Sequence, residues 1–170
     1  NDGLHFDEQT RKMSVTSKCV GCGNCLGACN FDAIHFEQDT ANELLSRRMA
    51  EYAKAVVDGR PQFHISLVMD VSPGCDCHAE NDAPIIPDLG MFASFDPLAI
   101  DQACVDACLA ATPIPEGRLA KMMKLKEFVD YGNHFENLHP GSDWKSCLEQ
   151  AEKIGLGSRE YELIPIKTDF

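Results

Sequence analysis

The sequence predicts an α/β (or α+β) fold, a small layered domain of sheet and helices carrying a cysteine-rich insert near its N-terminal end. Three observations lead there. Apolar residues recur at three- and four-residue steps in several stretches, apolar-rich runs of strand length lie between those stretches, and four of the nine cysteines fall within eleven residues. Strands separated by helices build a layered sheet, and the pattern leaves the direction of strand pairing open.

Residues 1–18 read as polar and irregular, with Val15-Thr16 a short strand entering the cysteine stretch. The cysteine unit follows from Lys18 to Phe36 and ends in Ala33-Ile34-His35-Phe36, which alternates like a strand. Leu44, Leu45, Met49, Tyr52, Ala53, Val56 and Val57 then form the stripe of an amphipathic helix, opened by the capping pattern Thr40-Ala41-Asn42-Glu43 and stopped by Gly59 and Pro61. Phe63 to Val71 is apolar, bounded by prolines and too short for a typical helix, so a buried strand is expected. Residues Ser72 to Asp88 hold three prolines and few large apolar side chains, which predicts a long loop, and loops of that length usually serve a function. Leu89 to Ser94 is a second strand. It runs into Asp96-Pro97, a helix N-cap followed by proline at the first helical position, and predicts a helix to about Ala111. Further helices are expected over Glu116–Tyr131 and Ser142–Ile154, the latter stopped by Gly155, and Tyr161–Ile166 is expected as an edge strand because it contains Pro165. Two parts result: residues 1–38 as the cysteine unit and 39–170 as the α/β domain, within one compact whole.

Size and charge exclude several classes. A chain of 170 residues buries a core without disulfides, and no stretch approaches the roughly 20 apolar residues a membrane span needs. Fifteen basic against twenty-seven acidic residues give a net charge of −12, which repels phosphate backbones and leaves no footprint for nucleic acid. No basic segment followed by an apolar one marks a secretory signal, so a cytoplasmic location is expected, and Asn1 in place of Met leads to the expectation of a trimmed or partial chain.

The chemistry resides in Cys19-Val20-Gly21-Cys22-Gly23-Asn24-Cys25-Leu26-Gly27-Ala28-Cys29. Spacings this tight do not make a disulfide framework; they deliver thiolates to a shared inorganic centre, with Gly21 and Gly23 permitting the winding between them. The stretch resembles the cluster-binding loop of bacterial-type ferredoxins over about twenty residues, and the resemblance implies a ferredoxin-like insert holding a [4Fe-4S] cluster. Asn30 stands where that motif has proline, which makes the role of Cys29 less determined than those of Cys19, Cys22 and Cys25. In the ferredoxin pattern the first three cysteines serve one cluster and the fourth serves another. A remote ligand is then needed, and two clusters would take eight of the nine cysteines.

Candidates for remote ligation are Cys75 and Cys77 in the long loop, and Cys104 and Cys108 four residues apart on a predicted helix. The competing reading of the first pair is loop thiols packed under prolines, and of the second small core residues. Cys147, on an apolar helix face beside Trp144 and Ala151, is expected to be left over. His64 and His78 are expected to be ordinary hydrogen-bonded histidines, Met122 and Met123 core filler, and Glu160 and Glu162 a solvated face.

Beyond the loop, Met69-Asp70-Val71-Ser72-Pro73-Gly74-Cys75-Asp76-Cys77, Pro87-Asp88-Leu89-Gly90 and Ser94-Phe95-Asp96-Pro97-Leu98-Ala99-Ile100-Asp101 resemble domain of unknown function 362 over about residues 15–110. The resemblance implies iron–sulfur clusters, a C-terminal portion of a longer chain and functional Cys75 and Cys77, and no established reaction. The expected function is electron transfer through one [4Fe-4S] cluster, with room for a second, to a redox partner protein. Two alternatives stand beside it: a redox enzyme whose site uses Asp76, His78, Asp82 and Asp88 of loop 72–88, and a zinc-stabilised module.

Overall fold

The computed structural model describes residues 2–31, 33–34, 42–74 and 82–166. The chain divides into two compact units, Asn1–Asp39 and Thr40–Phe170.

In the first unit β1 (Leu4–Asp7) and β2 (Lys12–Val15) form an antiparallel hairpin with Leu4 opposite Val15 and Asp7 opposite Lys12. The expectation of an irregular N-terminal stretch is corrected here. The turn is built by Asp7, whose Oδ1 accepts from the backbone N–H of Gln9 at 2.8 Å and of Thr10 at 3.1 Å, so a side chain replaces the glycine pair that usually marks a hairpin. Those bonds, led by the one from Thr10, hold the Asp7 carboxyl below its ordinary pKa. Ala33 and Ile34 are not in a strand, and His35 and Phe36 lie outside the described residues.

The second unit contains α2 (Asn42–Val57), β3 (His64–Val68), β4 (Gly90–Ser94), α3 (Pro97–Ala110), α4 (Arg118–Met122), α5 (His134–Leu138) and α6 (Lys145–Lys153); α1 (Asn24–Ala28) belongs to the first. β3 and β4 pair antiparallel, with Ile65 opposite Ala93 and Leu67 opposite Met91. A parallel pair needs a helical crossover, and no helix lies among the described residues between them, so the fold is α+β.

Helix α3 packs against both strands and α6. One core gathers Val68, Ile85, Ile86, Cys108, Leu119 and Leu138; the other gathers Ala50, Leu98, Leu148 and Ala151. The expected N-cap is present: Asp96 Oδ1 accepts from the N–H groups of Leu98 at 2.8 Å and Ala99 at 3.0 Å, satisfying two donors that the first turn leaves without helical partners. The other oxygen accepts from Ser158 N at 2.9 Å, and a Cβ at Gly157 would overlap this carboxylate.

Several expectations are revised. The stripe of α2 is not its packed face: Leu44, Leu45, Met49, Tyr52 and Val56 are exposed, while Ser46, Ala50 and Lys54 turn toward the rest of the unit. Ala50 is small enough for close approach to α6, Ser46 Oγ donates to Asp143 O and Lys54 Nζ to Gly155 O, so small and polar groups outcompete the larger apolar ones. Thr40 and Ala41 of the predicted cap lie outside the described residues. The strand expected to be buried has one face covered: Val68 is buried, His64 and Ser66 are half-buried, and Ile65 and Leu67 are exposed.

Of the helix predicted over Glu116–Tyr131 only α4 is α-helical; tighter turns continue it, with Leu125 N bonded to Met122 O and Phe128 N to Leu125 O. Helix α5 was not expected, although Asn133 followed three residues later by Glu136 is a capping pattern, and Asn133 Oδ1 accepts from Glu136 N at 2.9 Å. The segment from Tyr161 to Ile166 forms no strand. Only its start is tied to α3, Tyr161 OH donating to Asp106 Oδ2 just after Arg159 Nε donates to Gln102 Oε1. The α6 stop at Gly155 is as expected, Leu156 N closing onto Ala151 O.

Replacing Asp96 by Ala removes a cap and the anchor of Ser158 together. The expected loss of stability is about 1–2 kcal/mol, read as a lower urea midpoint with an unchanged slope.

Candidate functional site

The first cysteine group is organised by the hairpin that precedes it. Thr16 N donates to Gly3 O at 2.9 Å, Thr16 Oγ1 to Asp2 O at 2.7 Å, and Cys19 N closes onto Thr16 O at 3.0 Å. Gly3 lies so close that a Cβ there would stand 3.3 Å from Cys19 Cα, which leaves room for glycine and little else. The chain reaches the first thiol directly from β2.

Gly21 and Gly23 then adopt φ of 70° and 73°, a left-handed conformation that costs other L-residues about 1 kcal/mol or more and costs glycine little. Nothing lies within 4 Å of the Cβ position at either, so backbone conformation, not crowding, explains the residue type. Gly23 opens the single turn of α1, with Leu26 N and Gly27 N both bonded to Gly23 O. Cys19 and Cys22 are exposed and Cys25 and Cys29 half-buried, so all four predicted positions share one continuous turn-rich loop. Among the described residues, no group of three or more His, Cys, Asp or Glu side chains is gathered closely enough to hold a metal ion.

The second predicted group lies in the loop that joins β3 to β4. Cys75 and Cys77, with Asp76 and His78, lie outside the described residues. The stems on either side are held at several points. Ile85 N donates to Val71 O and Leu89 N to Val68 O, both at 2.8 Å, and Asp70 N donates to Asp88 Oδ1 at 2.9 Å. Asp70 itself has a φ of 50°, a conformation that Asp tolerates better than most side chains. From the other side His139, at the end of α5, bonds through Nε2 to Pro73 O at 2.5 Å, and Ile114 N donates to Ile85 O. Pro73 is fully buried. His139 was absent from the sequence expectations, because nothing in its local spacing announces a bond to a carbonyl 66 residues away.

Cys104 and Cys108 sit on the face of α3 that looks into the first core. Cys108 is buried there and Cys104 packs against its edge. Burial raises both thiols above their ordinary pKa, with the Ser66 hydroxyl partly offsetting this at Cys104 and Asp101 adding to it. Their core neighbours are apolar, so both thiols serve here as small packing groups. Cys147 packs against the second core and is likewise raised by burial. None of the seven described cysteines is in a disulfide. His64 is half-buried and bonded to Gln62 Oε1 at 3.0 Å. Nearby, burial raises the Asp101 carboxyl, and the His64 charge lowers it by less.

A family model described as Domain of unknown function (DUF362) matches residues 7–106. The chain belongs to this family. The DUF362 match runs from the first hairpin into α3, and so contains Cys19, Cys22, Cys25, Cys29, Cys75, Cys77 and Cys104, while Cys108 and Cys147 fall after it. No curated protein and no solved structure matches the chain. Among the described residues no helix is long and apolar enough to cross a membrane. A shallow cavity of about 180 Å³ lies by Lys54, Asp58, Arg60, Gln62 and Leu156, away from both cysteine groups in sequence.

Cys108→Ser places a hydroxyl in an apolar core without a designed partner. The expected cost is about 1–3 kcal/mol of stability in denaturant titration. Raised pKa values mean fewer thiolates at any given pH, so at about pH 8 Cys104 and Cys147 should alkylate more slowly than free cysteine, the difference shrinking as pH rises past their folded values.

Proposed function

We propose that this DUF362 chain is an iron–sulfur protein in which Cys19, Cys22 and Cys25 ligate a [4Fe-4S] cluster and which exchanges electrons with a redox partner protein. One observation carries this: four cysteines outside any disulfide lie within eleven residues on a single loop, wound through two glycines at positive φ. The donor set fits the group, since thiolates are the ligands such clusters take and the loop supplies them at ferredoxin spacing. When bound, the cluster accepts and donates single electrons at a potential set by burial, hydrogen bonding and nearby charge.

The chain's own part is to present the thiolates and orient amides around them. Thr16, Gly3 and the β2 exit deliver Cys19; Gly21 and Gly23 let the backbone turn between thiols; the turn of α1 carries Cys25 toward Cys29. Cys75 and Cys77, both inside the family match, are the favoured remote ligands, whereas Cys104 and Cys108 pack among apolar neighbours of the first core. A second cluster, with Cys29 among its ligands, is the larger version of the same proposal. The absence of disulfides among the described cysteines suits a reducing compartment such as the cytoplasm.

A second reading has support in the stems of the β3–β4 loop, which are fixed by Asp88, His139 and two backbone bonds. Long loops held on rigid stems commonly carry active sites, so a redox enzyme using Asp76, His78, Asp82 and Asp88 beside the cluster is the alternative.

Protein purified without oxygen should contain iron and acid-labile sulfide and show a visible band that dithionite bleaches. Cys22→Ala should lose that band, and Cys75→Ala should lower iron or shift the electron paramagnetic resonance signal. Colourless protein holding zinc without sulfide would overturn the proposal in favour of a zinc module. Alanine at His78 and Asp88 that leaves both cluster content and cellular phenotype intact counts against the enzyme reading.

A further inference from the structure

The run Arg118-Leu119-Ala120-Lys121-Met122-Met123-Lys124-Leu125-Lys126 places four of the chain's fifteen basic residues within nine positions, in a protein of net charge −12. All four cations are exposed, and among the described residues none has an ion pair. Other cations in the chain do: Lys18 meets Asp2, Arg47 meets Glu43, Arg48 meets Glu51, Lys54 meets Asp58 and Lys145 meets Glu136. Glu116 and Glu127 flank the run and pair with none of its cations. Like charges three residues apart on a helical turn repel, so the arrangement lowers local stability without intramolecular compensation.

The segment is nonetheless ordered. Leu119 is fully buried in the first core and Met122 packs against it, while Lys121 N bonds to Gly117 O, Met123 N to Leu119 O, Lys124 N to Lys121 O and Leu125 N to Met122 O. With the inward positions taken by Leu119 and Met122, the outward ones display the cations and, between and beyond them, Met123, Leu125 and Val129, all exposed. Exposed apolar side chains that alternate along the chain with exposed cations offer both an apolar contact and an attraction for anions.

We propose that this surface is the docking face for a folded protein partner bearing an acidic patch with an apolar centre. Charge complementarity identifies the class: the rest of the chain is strongly acidic, so an anionic partner is attracted here and repelled elsewhere, which orients the encounter. Nucleic acid and anionic membrane present charge over lengths far exceeding a nine-residue patch and would meet the acidic remainder. The five residues of α4 are also too few for an interfacial helix. Four cations suit a small, transient, salt-sensitive contact. The docking face stands on its own observations and holds whether or not the cysteine loop binds a cluster.

The test uses the full chain and a fluorescently labelled synthetic peptide alternating Glu or Asp with Leu, read by anisotropy, with iron and sulfide measured on the same preparation so that failure of docking and failure of the cluster are told apart. The peptide should bind at about 0.02 M salt and weaken roughly tenfold at about 0.2 M. Lys121→Glu with Lys124→Glu should weaken it by roughly tenfold or more, Lys121→Arg with Lys124→Arg should preserve it, and Arg11→Glu with Lys12→Glu, at other unpaired cations, should leave it unchanged. Should the double Glu variant unfold, Lys124→Gln with Lys126→Gln provides the same reading. Binding that ignores these substitutions, no binding at the lower salt, or variant-sensitive binding to phosphatidylserine vesicles in place of the peptide would overturn the proposal.

Discussion

The Asp96 carboxylate is the interaction on which the second unit turns. One oxygen closes the first turn of α3 and the other holds Ser158, so a single side chain starts the central helix and ties the C-terminal segment beside it. Gln102, Asp106, Arg159 and Tyr161 extend the same attachment along α3. Because α3 supplies Cys108 to one core and Leu98 to the other, its correct start sets the packing of both.

Thiol chemistry in this chain is partitioned by environment. In the first unit the cysteines lie on an exposed or half-buried loop, within reach of inorganic reagents, and backbone turns decide their order. In the second, burial among apolar neighbours raises the pKa of Cys104, Cys108 and Cys147. The same side chain is thus open to reagents in one place and a small hydrophobe in another, and desolvation is the physical difference. Charge is partitioned as well. In this acidic chain Arg118, Lys121, Lys124 and Lys126 lie within nine residues, all exposed and, among the described residues, without an ion pair.

Much of this was legible in the sequence where the cause is local. The α3 cap reads from Asp96-Pro97, the stop of α6 from Gly155, the existence of β3 and β4 from apolar runs between breakers, and the DUF362 family from its motifs. Local signals also failed where a competing interaction lay elsewhere. The α2 stripe reads as a core face, yet Ala50 packs because only a small residue admits α6 so closely. The segment from Tyr161 to Ile166 has strand-forming residues, yet it pairs with no described strand and is anchored at its start by the bond of Tyr161 to Asp106 on α3. The first hairpin was hidden because its turn depends on an aspartate side chain instead of glycine.

The sequence by itself determined the spacing of the thiols, the glycines that let the loop wind between them, and the acidic balance of the surface, since each depends on covalent order or composition alone. Tertiary structure decided which thiols are buried, that the two central strands run antiparallel, and that His139 holds the carbonyl of Pro73. Those outcomes depend on groups far apart in the chain meeting in a desolvated interior, where a bond or a charge takes its strength from neighbours that no local pattern encodes.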